Sequence, residues 1–262
     1  MRTLLTVLTL LVVTPLFGTM VLIAALLGME DREGSIYDHA PRWWARALLR
    51  AAGVTVRAHN TERMTTGEPR IFVSNHVSWF DVLALAAVLP RYKFVGKKEV
   101  FRVPLFGHAA RAAGMIEIER ENRKAAFESY RMATEKIHAG ASVVVYPEGT
   151  RGTDYSLRAF KKGPFVLAVA AGVPIVPTIV HGTIQVLPRG SFWARSGVVD
   201  VHFLEPIETT GLTYEDRDTL SRQAWERMAE AFRREYGVES APPRLATSRS
   251  GAVAGIIPQQ QT

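Results

Sequence analysis

"RIFVSNHVSWFDVLALAAVL", Arg70 to Leu89, reads as a strand, a turn and a helix. "RIFVS" is a short apolar run, and "FDVLALAAVL" carries a helical pattern. Between them lie His76 and Asp81, five positions apart. Partners on one helix face are three or four apart, so a single helix would point these two in different directions. A bend changes that. With Ser78 as the N-cap, Asp81 falls at the third helical position and its carboxylate can reach back toward His76. Two readings stay open on these residues alone. Asp81 completes a capping box beside an ordinary loop histidine, or it fixes one imidazole nitrogen and leaves the other as a base.

The strand–turn–helix unit is repeated in kind along the chain. "VTVRA", "YKFVG", "GMIEI", "SVVVY", "PIVPTIV" and "VVDVHFL" are further strand-like runs. Helical patterns run from Phe80 to Leu89, Asn122 to Ala139, Lys161 to Ala171 and about Tyr214 to Tyr236. Strands alternating with helices imply an α/β fold, with a largely parallel mixed sheet flanked by helices. The 262 residues, 47% hydrophobic, suffice for one sizeable core. There is no cysteine, which excludes disulfides, Cys-based metal sites and a thiol nucleophile. The net charge of +7 comes without a long Lys/Arg block, so no nucleic-acid partner is expected. Anionic lipid or a phosphorylated substrate suits it better.

Thr3 to Met29 holds no charged residue. At about 1.5 Å per residue this stretch reaches roughly 40 Å, longer than a bilayer core of about 30 Å. Pro15 in its middle is expected to kink or break a helix. Either a tilted, kinked span or a pair of short helices in one leaflet fits. Next, "HAPRWWARALLRAAG" places Arg42, Arg46 and Arg50 on one helical face and Trp43, Trp44, Ala47, Leu48 and Ala51 on the other, the pattern of an interfacial helix. Only Arg2 precedes the apolar run and several arginines follow it, so the remainder is expected on the cytoplasmic side of the inner membrane. The expected organisation is a membrane anchor over 1–29, an interfacial helix region over 30–53, the α/β domain over 54–238 and a disordered tail over 239–262.

Other strands end on residues suited to an anion. "VVVYPEGTRG" leaves a buried strand through Glu148, Gly149, Thr150 and Arg151, offering backbone N–H groups and a guanidinium. "GMIEIER" ends on Arg120 and "KFVGKKEV" on Lys97 and Lys98. Strand ends of α/β sheets are where ligands bind.

Taken together, these blocks resemble the glycerophospholipid acyltransferases of the lysophosphatidic acid acyltransferase (PlsC) type. That family carries N-H-x-x-x-x-D, here Asn75, His76 and Asp81; G-x-x-x-I-x-R, here Gly114, Ile118 and Arg120; F-P-E-G-T-R-S, here "YPEGTRG"; and V-P-I-x-P, here Val173, Pro174, Ile175 and Pro177. Tyr146, Gly152 and Glu117 depart from the usual residues, and the blocks span about Asn75 to Pro177. The resemblance implies a membrane-bound enzyme moving a fatty acyl group from acyl-CoA or acyl-carrier protein to the sn-2 hydroxyl of 1-acyl-glycerol-3-phosphate. His76 and Asp81 would be catalytic. Lys97, Arg120, Glu148, Gly149, Thr150 and Arg151 would bind the acceptor. The thioester is a co-substrate, and no other cofactor and no metal is implied. Backbone N–H groups near Gly149 are expected to face the carbonyl oxygen of the reacting thioester. Another lysolipid acceptor, or a non-catalytic lipid-binding role, are the alternatives. A hydrolase fits poorly without a G-x-S-x-G elbow.

Overall fold

The computed structural model describes residues 2–64, 67–118 and 123–243. Two helices come first, α1 (Arg2–Leu26) and α2 (Ile36–Ala52), then β1 (Val54–His59). β2 (Ile71–Ser74) leads into α3 (Trp79–Val88). β3 (Tyr92–Lys97), α4 (Lys98–Phe101), α5 (Phe106–Ala112), β4 (Ile116–Ile118), α6 (Arg123–His138) and β5 (Ser142–Val145) follow. The chain then runs through α7 (Gly163–Ala171), β6 (Ile175–His181), α8 (Thr183–Val186), β7 (Gly197–Phe203) and α9 (Arg217–Tyr236).

The strands form one sheet in the order β1-β7-β6-β2-β5-β3-β4. β2 lies at its centre, paired in parallel with β5 (Val73 opposite Val145) and with β6 (Ser74 opposite Thr178). β3 and β4 continue the parallel run. β7 is antiparallel to β6 and parallel to β1. The two strands at that end therefore run against the other five, and the parallel set alone delivers its carboxyl ends to one edge.

Both faces of the sheet are covered, which explains why β2 and β5 are buried at every residue. One face packs Ile71, Val143, Ile175 and Ile179 against Phe165 of α7 and Trp225, Met228 and Phe232 of α9. The other packs Phe72, Val144 and Phe203 against Leu48 and Leu49 of α2 and Phe80 and Leu85 of α3. A fully buried Phe or Leu contributes about 1.5–3 kcal/mol, so these two layers hold the sheet.

α1 is one continuous helix through Pro15. The missing backbone hydrogen bond is outweighed by tertiary contact. Trp44 Nε1 donates to Thr14 Oγ1 at 2.9 Å. Val21 and Ala24 pack with Tyr37, Ala40 and Ala113. α2 packs on the core with Ala45, Leu48, Leu49 and Ala52 buried and leaves Trp43, Arg46 and Arg50 exposed. Arg46 Nε donates to Ala87 C=O at 3.0 Å and Arg42 to Pro90 C=O, capping the end of α3. The link between the helices and the first turn of α2 are held by charge: fully buried Lys93 of β3 donates to Asp31 at 3.0 Å, and Arg91 pairs with Asp38 at 3.1 Å. Of the expected tail, 244–262 lies outside the described residues.

Candidate active site

His76 sits in the turn between β2 and α3, at the carboxyl edge of the parallel strands. Its Nδ1 lies 2.9 Å from Asp81 Oδ2. The same oxygen accepts N–H bonds from Val77 at 2.7 Å and Ser78 at 2.8 Å. Both readings of Asp81 therefore hold at once: it closes a capping box with Ser78 and it grips the imidazole. The turn folds this way because the unpaired N–H groups at the start of α3 converge on one carboxylate. Oδ1 accepts from Thr183 Oγ1 at 2.6 Å, so both oxygens of the fully buried Asp81 are bonded. Asn75 stitches the turn to β6 through two bonds with Val180, its Oδ1 accepting from N–H and its Nδ2 donating to C=O. Among the described residues nothing bonds to His76 Nε2, and the ring stacks on Tyr146 at 4.0 Å.

The turn after β5 is bound to the same histidine by its backbone. Gly152 N–H donates to His76 C=O at 2.7 Å, and His76 N–H donates to Glu148 Oε1 at 3.3 Å. Glu148 is buried, with Oε2 accepting from Arg158 Nε at 2.8 Å. Burial pushes its carboxyl above the usual value, offset in part by Arg158. Arg158 also donates to Thr150 C=O. Glu148 thus faces inward and braces the turn. Gly149 takes a left-handed φ of +83°, and its N–H donates to Tyr146 C=O at 3.1 Å. That N–H closes the turn.

Arg151 lies with its guanidinium 4.9 Å from the centre of the Trp79 ring, at the start of α3. Lys97 is exposed at the end of β3. Arg120 lies outside the described residues. Beyond the end of β5 a cavity of about 290 Å³ is lined by Val95, Ile118, Tyr130, Tyr146 and Pro164, with Lys161 on its wall. Tyr146 is shared by this cavity and the His76 stack.

Among the described residues, the side chains close enough together to hold a metal ion are His59, Asp200 and His202, on β1 and β7. His59 Nε2 is engaged by Asp200 at 2.8 Å and His202 Nε2 by the Tyr236 hydroxyl at 2.7 Å. They lie on the strands that run against the rest and take no part in the His76 site.

Four residues that complete the site were not among those singled out as its members. Thr183 meets Asp81 from 102 positions away. Arg158, Trp79 and the stacked face of Tyr146 act through contacts that no spacing encodes.

A buried carboxylate aiming a histidine at the carboxyl edge of a parallel sheet defines an α/β protein with a histidine–carboxylate site. The sequence pattern headed Acyltransferase matches residues 55–181. A chloroplastic 1-acyl-sn-glycerol-3-phosphate acyltransferase of Brassica napus is 37% identical over 123 residues, 47% of this chain and 36% of the relative. The corresponding enzyme of Limnanthes douglasii is 33% identical over 201 residues, 76% of this chain and 70% of the relative. The chain spans less than half of the chloroplastic relatives from Brassica napus and Arabidopsis thaliana, at 36% and 45%. The crystal structure of the 1-acyl-sn-glycerophosphate acyltransferase PlsC from Thermotoga maritima shares the fold, with a TM-score of 0.69 at 23% identity over 88% of this chain and 98% of that one. The chain belongs to the 1-acyl-sn-glycerol-3-phosphate acyltransferase family.

Proposed function

We propose that the protein transfers a fatty acyl group from an acyl thioester to the sn-2 hydroxyl of 1-acyl-glycerol-3-phosphate, giving phosphatidic acid. The observation that carries this is the 2.9 Å contact of His76 Nδ1 with buried Asp81, which leaves Nε2 without a hydrogen bond among the described residues, on a ring stacked against Tyr146 of the cavity wall. Nε2 takes the proton of the acceptor hydroxyl as its oxygen attacks the thioester carbon. Asp81 orients the ring and stabilises the imidazolium. The tetrahedral adduct then expels the thiolate, which recovers the proton from His76. The chemistry needs no covalent enzyme intermediate and no cofactor beyond the thioester. Arg151, with Lys97 and Arg120, meets the acceptor phosphate, and Glu148 braces the turn that carries Arg151.

The acceptor bears one long acyl chain and resides in a bilayer, and the reading seats the protein on the cytoplasmic face of that membrane. Support comes from α1, whose Leu4, Leu11, Val12 and Leu26 are 64%, 64%, 65% and 87% exposed. α1 also touches the remainder of the protein near its start, at Thr3, in its middle, at Thr14, and near its end, at Val21 and Ala24. A helix so attached along its length lies in one leaflet with the domain beside it, rather than crossing alone.

Purified protein is assayed with 1-acyl-glycerol-3-phosphate and a phosphate-free lysolipid, each with acyl-CoA and with acyl-carrier-protein thioester. Thiol release dependent on the phosphate acceptor supports the reading. Turnover on the phosphate-free acceptor alone would replace it, and thiol release without any acceptor would mark a hydrolase.

A further inference from the structure

The segment Leu187–Ser196, "LPRGSFWARS", joins α8 to β7. It touches the candidate site at one end and α1 at the other. Leu187 C=O accepts from the capping hydroxyl of Ser78 at 2.8 Å. Arg189 Nη1 donates to Arg151 C=O at 2.8 Å. Toward the far end, Ala194 C=O accepts from Thr3 Oγ1 at 3.2 Å, at the start of α1. Between these fixed points Phe192 and Trp193 stand 89% and 73% exposed.

Two adjacent large aromatics held in water need an occupant. Arg189 and Arg195, both exposed, flank them, and the segment carries no acidic residue. Trp79, 48% exposed, adds a third aromatic beside Arg151. Trp193 and Trp79, apolar rings that carry a polar N–H, together with the apolar Phe192 and flanked by arginine, match the headgroup level of an anionic bilayer. The bond to Thr3 makes the loop continuous with the exposed apolar face of α1.

We propose that Leu187–Ser196 is a second membrane contact. Phe192 and Trp193 enter the boundary between headgroups and acyl chains, and Arg189 and Arg195 meet anionic headgroups. The proposal rests on the membrane seat of α1 inferred above and adds a consequence. The docked loop is bonded to Ser78 and to the Arg151 backbone, so it holds the mouth of the site at the depth where a lysolipid headgroup lies.

The absence of cysteine permits a clean test. Full-length Phe192→Cys is labelled with an environment-sensitive fluorophore, and Gln223→Cys, exposed on α9 across the sheet, is the control. Each is mixed with vesicles of phosphatidylcholine and phosphatidylglycerol and floated on a gradient. The expected result is flotation of both, with a blue shift and quenching by spin-labelled lipid at position 192 only. The shift should shrink on pure phosphatidylcholine. Flotation with a label at 192 that stays in water overturns the loop contact and leaves the α1 seat standing. Failure to float overturns both. A shift that needs no vesicles and grows with protein concentration assigns the loop to a second copy and overturns the proposal.

Discussion

Thr183 Oγ1 donates a 2.6 Å hydrogen bond to the Asp81 oxygen that does not face His76. The first residue of α8 thereby sets the rotation of the carboxylate that aims the imidazole. Thr183→Val keeps the shape and removes the donor, leaving a buried carboxylate oxygen short of a partner at a cost of about 1–3 kcal/mol. The expected outcome is a lower melting temperature together with kcat reduced by about tenfold or more. Thr183→Ser should restore both. An unchanged kcat would show that the turn fixes Asp81 unaided.

Asp81 does two jobs, and substitutions separate them. His76→Ala removes the proposed base and leaves the capping box intact, so turnover should fall by about 10²–10⁴-fold with little change in melting. Asp81→Asn presents an amide to three N–H donors that now converge on one carboxylate oxygen. It should lose activity and also about 1 kcal/mol of helix-capping stability. Paired activity assays and thermal melts check this. Retention of more than about a tenth of wild-type turnover in His76→Ala would remove it from the base role.

The strands were legible because short β-branched runs between turns have few other structures open to them. All seven runs are strands. The reversal of β7 and β1 was not legible, since strand direction leaves no trace in composition. α4, α5 and α8, of 4, 7 and 4 residues, are too short for a helical period to show. Of the two outcomes expected at Pro15, the break does not occur, because packing of α1 on α2 outweighs a broken backbone hydrogen bond. In the site, His76 and Asp81 were readable because one turn joins them. Thr183 was not, because the sheet brings it from 102 positions away, and the roles of Arg158 and Trp79 were not, because their side-chain contacts with Glu148 and Arg151 follow only from the folded turns.

Gly182 positions Thr183 and tolerates no side chain. It has a φ of +92°, and an added Cβ would lie 2.1 Å from Val198 C=O. Gly182→Ala combines a strained backbone, about 1–3 kcal/mol, with a backbone collision. The β6–β7 corner should loosen and hydrogen exchange at Thr183 and Ile184 should rise. Native exchange and melting in that variant would show that the corner yields cheaply.

Glu148 gives a pH dependence whose sign is fixed by burial. Its carboxyl is raised above the usual value because burial outweighs the hydrogen bond and charge of Arg158. The folded state then holds this proton more tightly than the unfolded chain. The resulting stability is present in acid and is lost as pH rises from the ordinary carboxylate range through the raised value. Glu148→Gln lacks this dependence. Wild type and variant should melt alike in acid, and wild type should fall relative to the variant toward neutral pH. Thermal melts at several pH values decide it. A relative gain for wild type at neutral pH would mean that the ion pair with Arg158 outweighs burial.

Arg151 provides the sharpest test of acceptor chemistry. Its guanidinium lies 4.9 Å from the Trp79 ring centre, and the turn that carries it is bonded to His76 through Gly152. A guanidinium forks onto phosphate oxygens with two parallel N–H bonds, which a lysine ammonium cannot reproduce. Arg151→Lys keeps the charge and should still lose about 1.5–3 kcal/mol, roughly 10- to 150-fold in kcat/KM with 1-acyl-glycerol-3-phosphate. With a phosphate-free lysolipid the loss should be small. Trp79→Ala should produce a milder version of the same selectivity change, because it removes the platform and not the charge. Measuring kcat/KM for both acceptors in wild type and the two variants separates phosphate recognition from support of the turn. An equal fall on both acceptors in Arg151→Lys would assign the residue to holding the turn and leave the phosphate to Lys97 and Arg120.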